Sequence, residues 1–470
     1  MTRRRATATF VASVLLLLAA AGTGAGDVLV RWDRDRVPSR QALGVDAIVI
    51  PAAQTAGVQD ALAKGYTVYL EAEAGALATL AAPRGLVGGV VVHGAPTAAQ
   101  LEQVRRRLRS PAARVLVLEE RGKWPHVRLN WVTLQNEVLQ VSRASAQPWI
   151  ENNGALVSIA ATEAGRPPVL TYAWQPITVS EMHQGPALEN YLVAIAEAGT
   201  FGADLVLPLH ETFQDALLLG MPAARSQWQE IRRYLDFYAW DLPARYERLA
   251  SIGVVTADPV ASFEVLNLLT RHNLAYRLIA PAKLSAAAIE RLSLLTVLDP
   301  LPPRSLATVE AFVRQGGTAV LAQTSGAASW KGATPLAKSD EQAAFQVGEG
   351  RVIERSQPIV DPNAFALSVR DALGREGRVF EIWNGITVIG TPFQAPGGDT
   401  LLLTLLNYAH DGRPIQVRVR GNFAAVHYET PESEPVLLPF ERRDGTTEFV
   451  LPDLRIGARV FLTKDDRAAQ

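Results

Sequence analysis

Short apolar runs alternate with helical patterns through the first half of the chain. Such runs are typical of strands that are buried on both faces, and helices between them make the strands parallel. Eight strands are predicted: Val28–Trp32, Ala47–Ile50, Thr67–Leu70, Gly89–Val92, Arg114–Leu118, Val138–Val141, Val169–Tyr172 and Asp204–Leu207. Helical spacing of apolar residues lies between several of them: Ala98–Leu108, Glu151–Thr162 and Ala187–Ala198. This alternation predicts a small (β/α)8 barrel over residues 27–245.

Two further patterns follow the long predicted helix Arg225–Tyr238. Over residues 246–375, strands and helices alternate again, which predicts an open α/β domain. Its predicted strands are Ile252–Val255, Tyr276–Ile279, Leu294–Leu298 and Thr318–Leu321, and its helices are Pro259–Arg271, Leu284–Leu292 and Leu306–Gln315. Residues 324–340 are predicted as a loop or a partly disordered insert.

The last segment, residues 376–470, changes to an alternation of period two and predicts a small antiparallel β-sandwich. Its predicted strands are Ile386–Ile389, Leu401–Asn407, Gln416–Arg420, Ala424–Tyr428, Thr447–Leu451 and Ala458–Leu462. Asp411-Gly412 and Asp444-Gly445 provide turn signals between them.

The first 26 residues have the layout of a secretory signal peptide. Three arginines at positions 3–5 precede an apolar stretch, Phe10–Ala21, and small residues follow at Thr23–Gly26. This layout predicts export to the periplasm or the medium, with cleavage near Ala25 or Gly26. The apolar stretch is shorter than the roughly 20 residues of a membrane span, so no stable span is expected after processing. An uncleaved N-terminal anchor is the alternative.

Composition excludes several classes of function. The formal net charge is −1 and no basic face is evident, which disfavours a nucleic-acid partner. The chain has no cysteine, so disulfides, thiol catalysis and thiolate metal sites are excluded. The histidines at positions 93, 126, 183 and 210 match no compact ligand motif, and the turn after Val255 is not a phosphate-binding glycine-rich turn. Neither a metal nor another cofactor is therefore expected.

Carboxylates follow several of the predicted barrel strands. In a closed βα barrel, the residues just past the strands meet at one mouth, where active sites lie. Glu120 follows strand five and Glu211 follows strand eight; they are the preferred catalytic pair, and Glu71 after strand three is the next candidate. Two carboxyl groups facing each other are what glycoside hydrolysis needs. The alternative is structural, because Glu211 could simply place negative charge at the start of a helix.

Tryptophan and polar residues at the same strand ends are candidates for binding sugar. The apolar face of an indole ring can stack on the C–H face of a pyranose, and polar side chains can bind its hydroxyl groups. The substrate-binding candidates are Trp32, Asp33, His93, Trp124, Arg128, Trp174 and His210. Ordinary packing is the alternative for each tryptophan, and local hydrogen bonding is the alternative for the polar residues.

Three short motifs carry a resemblance to a known family. They are the helix–Gly-Gly–strand segment Val309–Thr318, the segment Gly348–Val352, and Leu405-Leu406-Asn407-Tyr408 with Pro431 and Leu451-Pro452 in the last part. Together with the three-part layout, they resemble the family 42 β-galactosidases. The resemblance implies a barrel, a flavodoxin-like trimerisation domain and a C-terminal β-sandwich, with carbohydrate as the partner and a homo-oligomer formed through the middle domain.

The chain departs from that family after the fourth strand. The family carries an Asn-Glu pair there, whereas this chain reads Val92-His93-Gly94-Ala95. Two hypotheses therefore stay open. One is a secreted glycoside hydrolase that acts on an oligo- or polysaccharide through paired carboxylates. The other is a noncatalytic glycan-binding or assembly protein derived from a glycoside hydrolase.

Overall fold

A computed structural model describes residues 28–80, 87–108, 113–118, 152–164, 168–172, 185–239, 246–322, 328–409 and 412–464. Its first sheet is a ring of parallel strands in the order β5-β4-β3-β2-β1-β7-β6. A parallel bridge from Leu118 to Val169 brings the two ends of this sheet together. The strands are β1 (Val28–Arg31), β2 (Ala47–Pro51), β3 (Thr67–Glu73), β4 (Val87–His93), β5 (Arg114–Val117), β6 (Val169–Thr171) and β7 (Asp204–Pro208).

The prediction of a parallel barrel is confirmed. The described residues contribute seven strands to it, and the bridge from Leu118 to Val169 links the strands predicted as the fifth and the seventh directly. The predicted strand at Val138–Val141 lies outside the described residues.

Alternation along the strands divides the barrel into an inside and an outside. One cluster of buried side chains fills the ring: Leu29, Val49, Tyr69, Val91, Leu116, Leu118, Val169 and Val206. Their neighbours along the strands, such as Val30, Ile48 and Leu70, belong to the larger core that packs against the helices. Near the amino-terminal end of the ring, Arg114 Nη2 lies 3.8 Å from Asp204 Oδ2, so an ion pair lies at the end opposite the mouth.

Helices surround the ring. They are α1 (Arg40–Leu43), α2 (Thr55–Ala63), α3 (Ala98–Leu108), α4 (Gly154–Ala164), α5 (Leu188–Phe201), α6 (Glu211–Leu218) and α7 (Pro222–Tyr238), with a 3₁₀ turn at Ala74–Ala76. α5 is buried along most of its length, and α7 buries one face that includes Trp228, Ile231 and Leu235. Within the described residues, no helix is long and apolar enough to cross a membrane.

The middle sheet has the flavodoxin-like order. Its parallel strands run β10-β9-β11-β12-β15, which is the order 2-1-3-4-5, and the antiparallel strands β14 and β13 extend one edge. The strands are β9 (Ile252–Val255), β10 (Tyr276–Ile279), β11 (Leu294–Val297), β12 (Thr318–Leu321), β13 (Ala337–Lys338), β14 (Gln342–Val347) and β15 (Gly350–Arg355). The helices are α8 (Phe263–Arg271), α9 (Ala286–Ile289), α10 (Pro303–Arg314) and α11 (Pro362–Gly377), with 3₁₀ turns at Pro281–Lys283 and Ser329–Gly332.

The predicted loop over residues 324–340 is not wholly irregular. Its described part contains the 3₁₀ turn Ser329–Gly332 and the short strand β13. β13 is exposed and pairs only through two residues with β14, so its sequence carries little apolar signal.

Two glycines explain the motif at the start of β15. Gly348 has a φ of +63° in the turn between β14 and β15, where a side chain would strain the backbone. At Gly350, a Cβ atom would lie 2.1 Å from the carbonyl oxygen of Gly317 and 2.3 Å from that of Val313. The hairpin therefore packs against the end of α10 at a distance that only glycine allows.

We expect Gly350→Ala to destabilise the protein by roughly 2 kcal/mol or more, because the clash is with backbone atoms that cannot move aside. The measurement is the midpoint and slope of urea unfolding followed by circular dichroism. Gly75→Ala is the control, since a Cβ there would meet nothing within 4 Å, and its unfolding should change by less than about 0.5 kcal/mol. Equal stability of the two variants would contradict the packing argument.

The last part of the chain forms two antiparallel sheets that face each other across one apolar cluster. The four-stranded sheet has the order β16-β19-β23-β22, and the six-stranded sheet has the order β21-β20-β24-β18-β17-β8. The strands are β8 (Glu247–Arg248), β16 (Phe380–Trp383), β17 (Val388–Gln394), β18 (Thr400–Asn407), β19 (Ile415–Arg420), β20 (Ala425–Thr430), β21 (Ser433–Leu437), β22 (Phe440–Arg443), β23 (Thr446–Leu451) and β24 (Gly457–Thr463). The predicted sandwich is thus confirmed, and β8 joins it from a position that precedes the middle sheet in the chain.

The turn between β22 and β23 has the conformation that its sequence requires. Asp444 has a φ of +49° and Gly445 a φ of +75°. Positive φ at both central residues of a two-residue hairpin defines the type I′ turn, for which Asp-Gly is a preferred sequence. The predicted turn signal is therefore correct at this position.

Candidate functional site at the barrel mouth

Three charged or polar side chains lie at the carboxyl end of the barrel strands. Arg31 ends β1, Glu71 lies near the end of β3, and His93 ends β4. Each is two residues beyond a residue of the barrel interior, so all three have the inward position on their strands: the interior residues are Leu29, Tyr69 and Val91. The alternation of the strands therefore directs these side chains into the mouth.

Glu71 is the centre of this group. Its side chain is only 8% exposed. Arg31 Nε donates to both carboxylate oxygens, at 2.9 Å and 2.7 Å, and His93 Nε2 lies 2.8 Å from Oε1. Burial by itself would raise the pKa of Glu71, but the hydrogen bond from His93 and the charge of Arg31 outweigh it and lower the pKa below its ordinary value. Glu71 is therefore a carboxylate at neutral pH.

Asp33 extends the group toward the helix that follows β7. Arg31 Nη1 donates to Asp33 Oδ2 at 2.9 Å, and Gln214 Nε2 donates to Asp33 Oδ1 at 2.9 Å. The amide oxygen of Gln214 accepts in turn from the Asp33 backbone N–H, at 3.0 Å. Gln214 is fully buried on α6, so it fixes the loop after β1 in place. The prediction from sequence did not include Gln214.

His210 and Glu211 form the start of α6. His210 is the N-cap residue, and its Nδ1 accepts from the Thr212 backbone N–H at 3.3 Å. Burial lowers the pKa of His210, and the nearby charge of Arg34 acts in the same direction against the opposing charge of Glu211. Neutral His210 keeps the acceptor that this cap uses.

Glu211 is in the first turn of α6 and its side chain is 65% exposed. Arg34 Nη2 donates to Glu211 Oε2 at 3.2 Å, while Arg34 Nε donates to Asp215 Oδ1 at 2.7 Å. Arg34 Nη1 also lies 3.6 Å from Asp33 Oδ1. A chain of ion pairs thus connects Glu71 with Glu211 at the same end of the barrel, and a catalytic role for either stays a prediction.

The structure gives Trp32 a different role from the predicted stacking on sugar. Its side chain is fully buried, and its indole Nε1 donates to the Arg36 carbonyl oxygen at 2.7 Å. Trp32 lies two residues after Val30, so its side chain points to the same face of the sheet, toward the helices. The indole therefore packs in the core between sheet and helices. The prediction for Trp32 is therefore wrong. Four other predicted site residues lie outside the described residues: Glu120, Trp124, Arg128 and Trp174.

The remaining groups at the mouth are partly exposed. The side chains of Arg31, Asp33 and His93 are 26%, 29% and 21% exposed, whereas Glu71 beneath them is nearly covered. Arginine, carboxylate and imidazole groups together provide donors and acceptors for vicinal hydroxyl groups. No group of three or more histidine, aspartate or glutamate side chains within the described ranges could hold a metal ion.

The middle domain does not offer a phosphate site at the end of its first strand. Asp299 Oδ2 accepts from the Ala257 backbone N–H at 2.7 Å and from the Thr256 hydroxyl at 2.8 Å. The carboxylate of Asp299 therefore occupies the donors that a bound phosphate would use at this turn. The arrangement agrees with the sequence, which lacks a glycine-rich turn here.

Replacing Glu71 with glutamine is expected to destabilise the protein by roughly 2–3 kcal/mol at pH 7, because the variant leaves Arg31 without its buried counter-charge. The carboxylate's stabilising effect is present above its unfolded pKa, near the ordinary value of 4.5, and is lost as the pH falls through the lowered folded pKa. Urea unfolding at pH 7.0 and at pH 3.5 measures both effects. The stability difference between wild type and variant should shrink at the lower pH.

Glu73→Gln is the matched control, because Glu73 lies two residues further along β3 and is exposed. Its unfolding should follow that of the wild type at both pH values. A Glu71→Gln variant as stable as Glu73→Gln at pH 7.0 would contradict the role of Glu71 as the anchor of Arg31.

No protein-family model and no curated protein sequence matches the chain. Solved structures with a similar fold do exist. The α-L-fucosidase isoenzyme 2 from Paenibacillus thiaminolyticus superposes with a TM-score of 0.56 at 10% identity, over 93% of this chain and 100% of that chain. A β-galactosidase from Bacillus circulans sp. alkalophilus has a TM-score of 0.45 at 12% identity, over 77% of this chain and 65% of that chain.

This likeness defines the fold of the chain. The chain has the fold of glycoside hydrolases built from a parallel barrel with additional domains, as the resemblance implied. Among the solved structures, the fucosidase is similar over its whole length. At 10% sequence identity, the likeness supports the fold alone. Substrate and activity must therefore be argued from the site.

Proposed function

We propose that this protein is an exported glycoside hydrolase that binds an oligo- or polysaccharide at the barrel mouth and cleaves it with paired carboxylates. The observation that carries the proposal is the group of Glu71, Arg31, His93 and Asp33 at the carboxyl end of the strands. Active sites of such barrels are built at this end. The described charged groups are held in place by one another and by the buried Gln214, which is the preorganisation that a binding site needs.

The roles divide according to protonation. Glu71 is ionised, so it cannot donate the proton that the leaving oxygen requires. Glu71 and Asp33 instead orient Arg31 and His93 toward the hydroxyl groups of the sugar. The proton donor and its partner carboxylate are then Glu120 and Glu211, the pair predicted from the sequence. Glu211 has the exposure that a group in contact with substrate requires.

One observation favours the noncatalytic alternative. Both oxygens of Glu71 accept from Arg31, and the two oxygens of Asp33 accept from Arg31 and from Gln214. Carboxylates committed to such contacts are less available for attack on an anomeric carbon. On this alternative the mouth binds a glycan without cleaving it.

A glycan array and a panel of chromogenic glycosides test the proposal on the purified protein. Binding together with turnover supports the hydrolase. Binding without turnover supports the noncatalytic alternative. If neither is found on a broad panel, both carbohydrate proposals fail. Glu71→Gln and its control Glu73→Gln assign any binding to the mouth, since only the first removes a described contact of Arg31.

Export is proposed from the N-terminal segment alone. We expect a mature N-terminus near Ala25 or Gly26 when the full chain is produced in a bacterial host with a secretion pathway. N-terminal sequencing of the periplasmic or extracellular protein measures it. A mature form that still begins with Met1 would contradict cleavage.

A further inference from the structure

A small cavity far along the chain from the barrel residues has arginine at four of its ten lining positions. It has a volume of about 250 Å³ and lies where the end of α11 meets the four-stranded sheet and the β22–β23 turn. Four guanidinium groups line it: Arg375, Arg378, Arg418 and Arg420.

One buried carboxylate lies among these arginines. Glu381 on β16 has a side chain that is only 9% exposed. Arg418 Nη1 donates to Glu381 Oε2 at 2.8 Å, Arg378 Nη1 donates to Oε1, and Arg375 Nε lies 3.5 Å from Oε2. A single carboxylate therefore faces three guanidinium groups. Arg378 and Arg418 are only 19% and 12% exposed, so the interior of the cavity holds two guanidinium groups against one carboxylate, whereas Arg375 is 61% exposed.

The other charges at the cavity do not remove this excess. Glu376 and Asp444 line it but are exposed, and Asp444 lies 3.7 Å from Arg443 Nε, which points it toward another partner. Glu448 lies 3.8 Å from Arg418 Nε and is 29% exposed. Solvent screens the charges of these exposed carboxylates more than it screens the charges of the buried Glu381 and its arginine partners.

Two arginines have hydrogen-bonding capacity that no carboxylate satisfies. The Nε atom of Arg378 is buried and has no hydrogen-bond partner among the described residues. Among the described residues, the Arg420 side chain donates to the carbonyl oxygens of Glu376 and Gly377, at 3.3 Å and 3.4 Å, and to no carboxylate. Arg378 has Glu381 as its counter-charge, whereas Arg420 is exposed at the end of β19. An anion from solution can therefore reach the guanidinium group of Arg420.

We propose that this cavity binds an oxyanion, a sulfate or a phosphate group, either free or as an ester on a larger molecule. Planar guanidinium groups match the geometry of tetrahedral oxyanions and bind them through paired N–H donors. Arg420 and Arg375 would supply donors at the opening of the cavity, and Arg378 would supply them from its wall. The inference is independent of the function proposed for the barrel mouth.

Isothermal titration of the full-length protein tests the site, with sodium sulfate, sodium phosphate, glucose 6-sulfate and neutral glucose as probes at constant ionic strength. We expect the anions to bind and glucose not to bind. Arg420→Gln and Arg375→Gln should each weaken anion binding by about tenfold, since each removes charge-assisted hydrogen bonds. Tighter binding of glucose 6-sulfate than of sulfate would identify an esterified saccharide as the source, and equal binding would identify the free anion.

Arg443→Gln is the matched control, because Arg443 is 76% exposed, lies beside the turn and does not line the cavity. Its anion affinity should equal that of the wild type. Arg420→Lys keeps the positive charge but lacks the paired N–H donors, so it should bind the anions with intermediate affinity. This variant provides a second test if Arg420→Gln does not fold stably. The proposal is overturned if no anion binds, or if the Arg375 and Arg420 variants bind like the wild type.

Discussion

Replacing Glu120 or Glu211 with glutamine is expected to lower the turnover of any chromogenic glycoside that the protein cleaves by on the order of 10²–10⁴-fold. The amide keeps the size of the side chain but neither donates a proton to the leaving oxygen nor carries the negative charge that stabilises an oxocarbenium-like transition state. Glu211 is exposed at the start of α6, on the same side of the barrel as Glu71. The measurement is the turnover number of each purified variant.

Two control variants separate chemistry from loss of a surface charge. Asp215→Asn removes the other carboxylate that contacts Arg34, and Asp215 is 54% exposed, comparable to Glu211. Glu119→Gln removes the carboxylate next to Glu120 in the sequence, whose side chain should turn the other way if the two continue a strand. Both controls should keep turnover within a fewfold of the wild type. Unchanged turnover in Glu120→Gln and Glu211→Gln would reject the assignment of this pair.

Strands buried on both faces were the most predictable part of the fold. β9 and β12 were predicted with their observed bounds, because a short continuous apolar run between turn residues is typical of a buried strand. β14 and β16 were missed for different reasons. β14 lies toward the edge of its sheet and is half exposed, and β16 contains Glu381, whose charge conceals a buried strand unless its arginine partners are known.

The location of the site residues at the barrel mouth was predictable from the sequence, whereas their hydrogen-bond and ion-pair partners were not. The rule that residues beyond the strands meet at one end pointed to Asp33, Glu71, His93, His210 and Glu211. The ion pair of Glu71 with Arg31 joins residues 40 positions apart, and the contact of Gln214 with Asp33 spans 181 positions. No local pattern predicts contacts at such separations.

The error at Trp32 had a detectable cause. Strand alternation gives adjacent residues opposite directions, so an inward Arg31 requires an outward Trp32. Counting from the interior residue Leu29 would have placed Arg31 in the mouth and Trp32 in the core. Strand parity is therefore more informative about site residues than the preference of a residue type for sugar.

The junction between barrel and sandwich depends on a buried carboxylate that is not among the residues predicted from the sequence. Glu197 on α5 is fully buried. It accepts hydrogen bonds from the Asn153 backbone N–H at 3.1 Å, from Asn153 Nδ2 at 2.8 Å, from the Tyr172 hydroxyl at 2.7 Å and from the Tyr408 hydroxyl at 2.5 Å. Tyr408 follows β18, so Glu197 ties the sandwich to the barrel.

The two tyrosines act as donors over the whole accessible pH range. Burial raises the pKa of Tyr172 and Tyr408 well above the ordinary value, and the negative charge of Glu197 raises both further. Their hydroxyl groups therefore stay protonated beside the carboxylate. The hydrogen bonds of Glu197 should persist wherever the protein is folded and Glu197 is ionised.

We expect Glu197→Ala to lower the free energy of unfolding by about 4 kcal/mol or more, because four buried donors lose their acceptor and each such loss costs about 1–3 kcal/mol before relaxation. Tyr408→Phe removes one donor and should cost about 1–2 kcal/mol. Urea unfolding and differential scanning calorimetry measure both. Glu189→Ala is the control on the same helix, since Glu189 is 40% exposed and pairs only loosely with Arg455 at 3.5 Å; it should cost less than about 1 kcal/mol. If Glu197→Ala is as stable as Glu189→Ala, the carboxylate does not hold the two domains together.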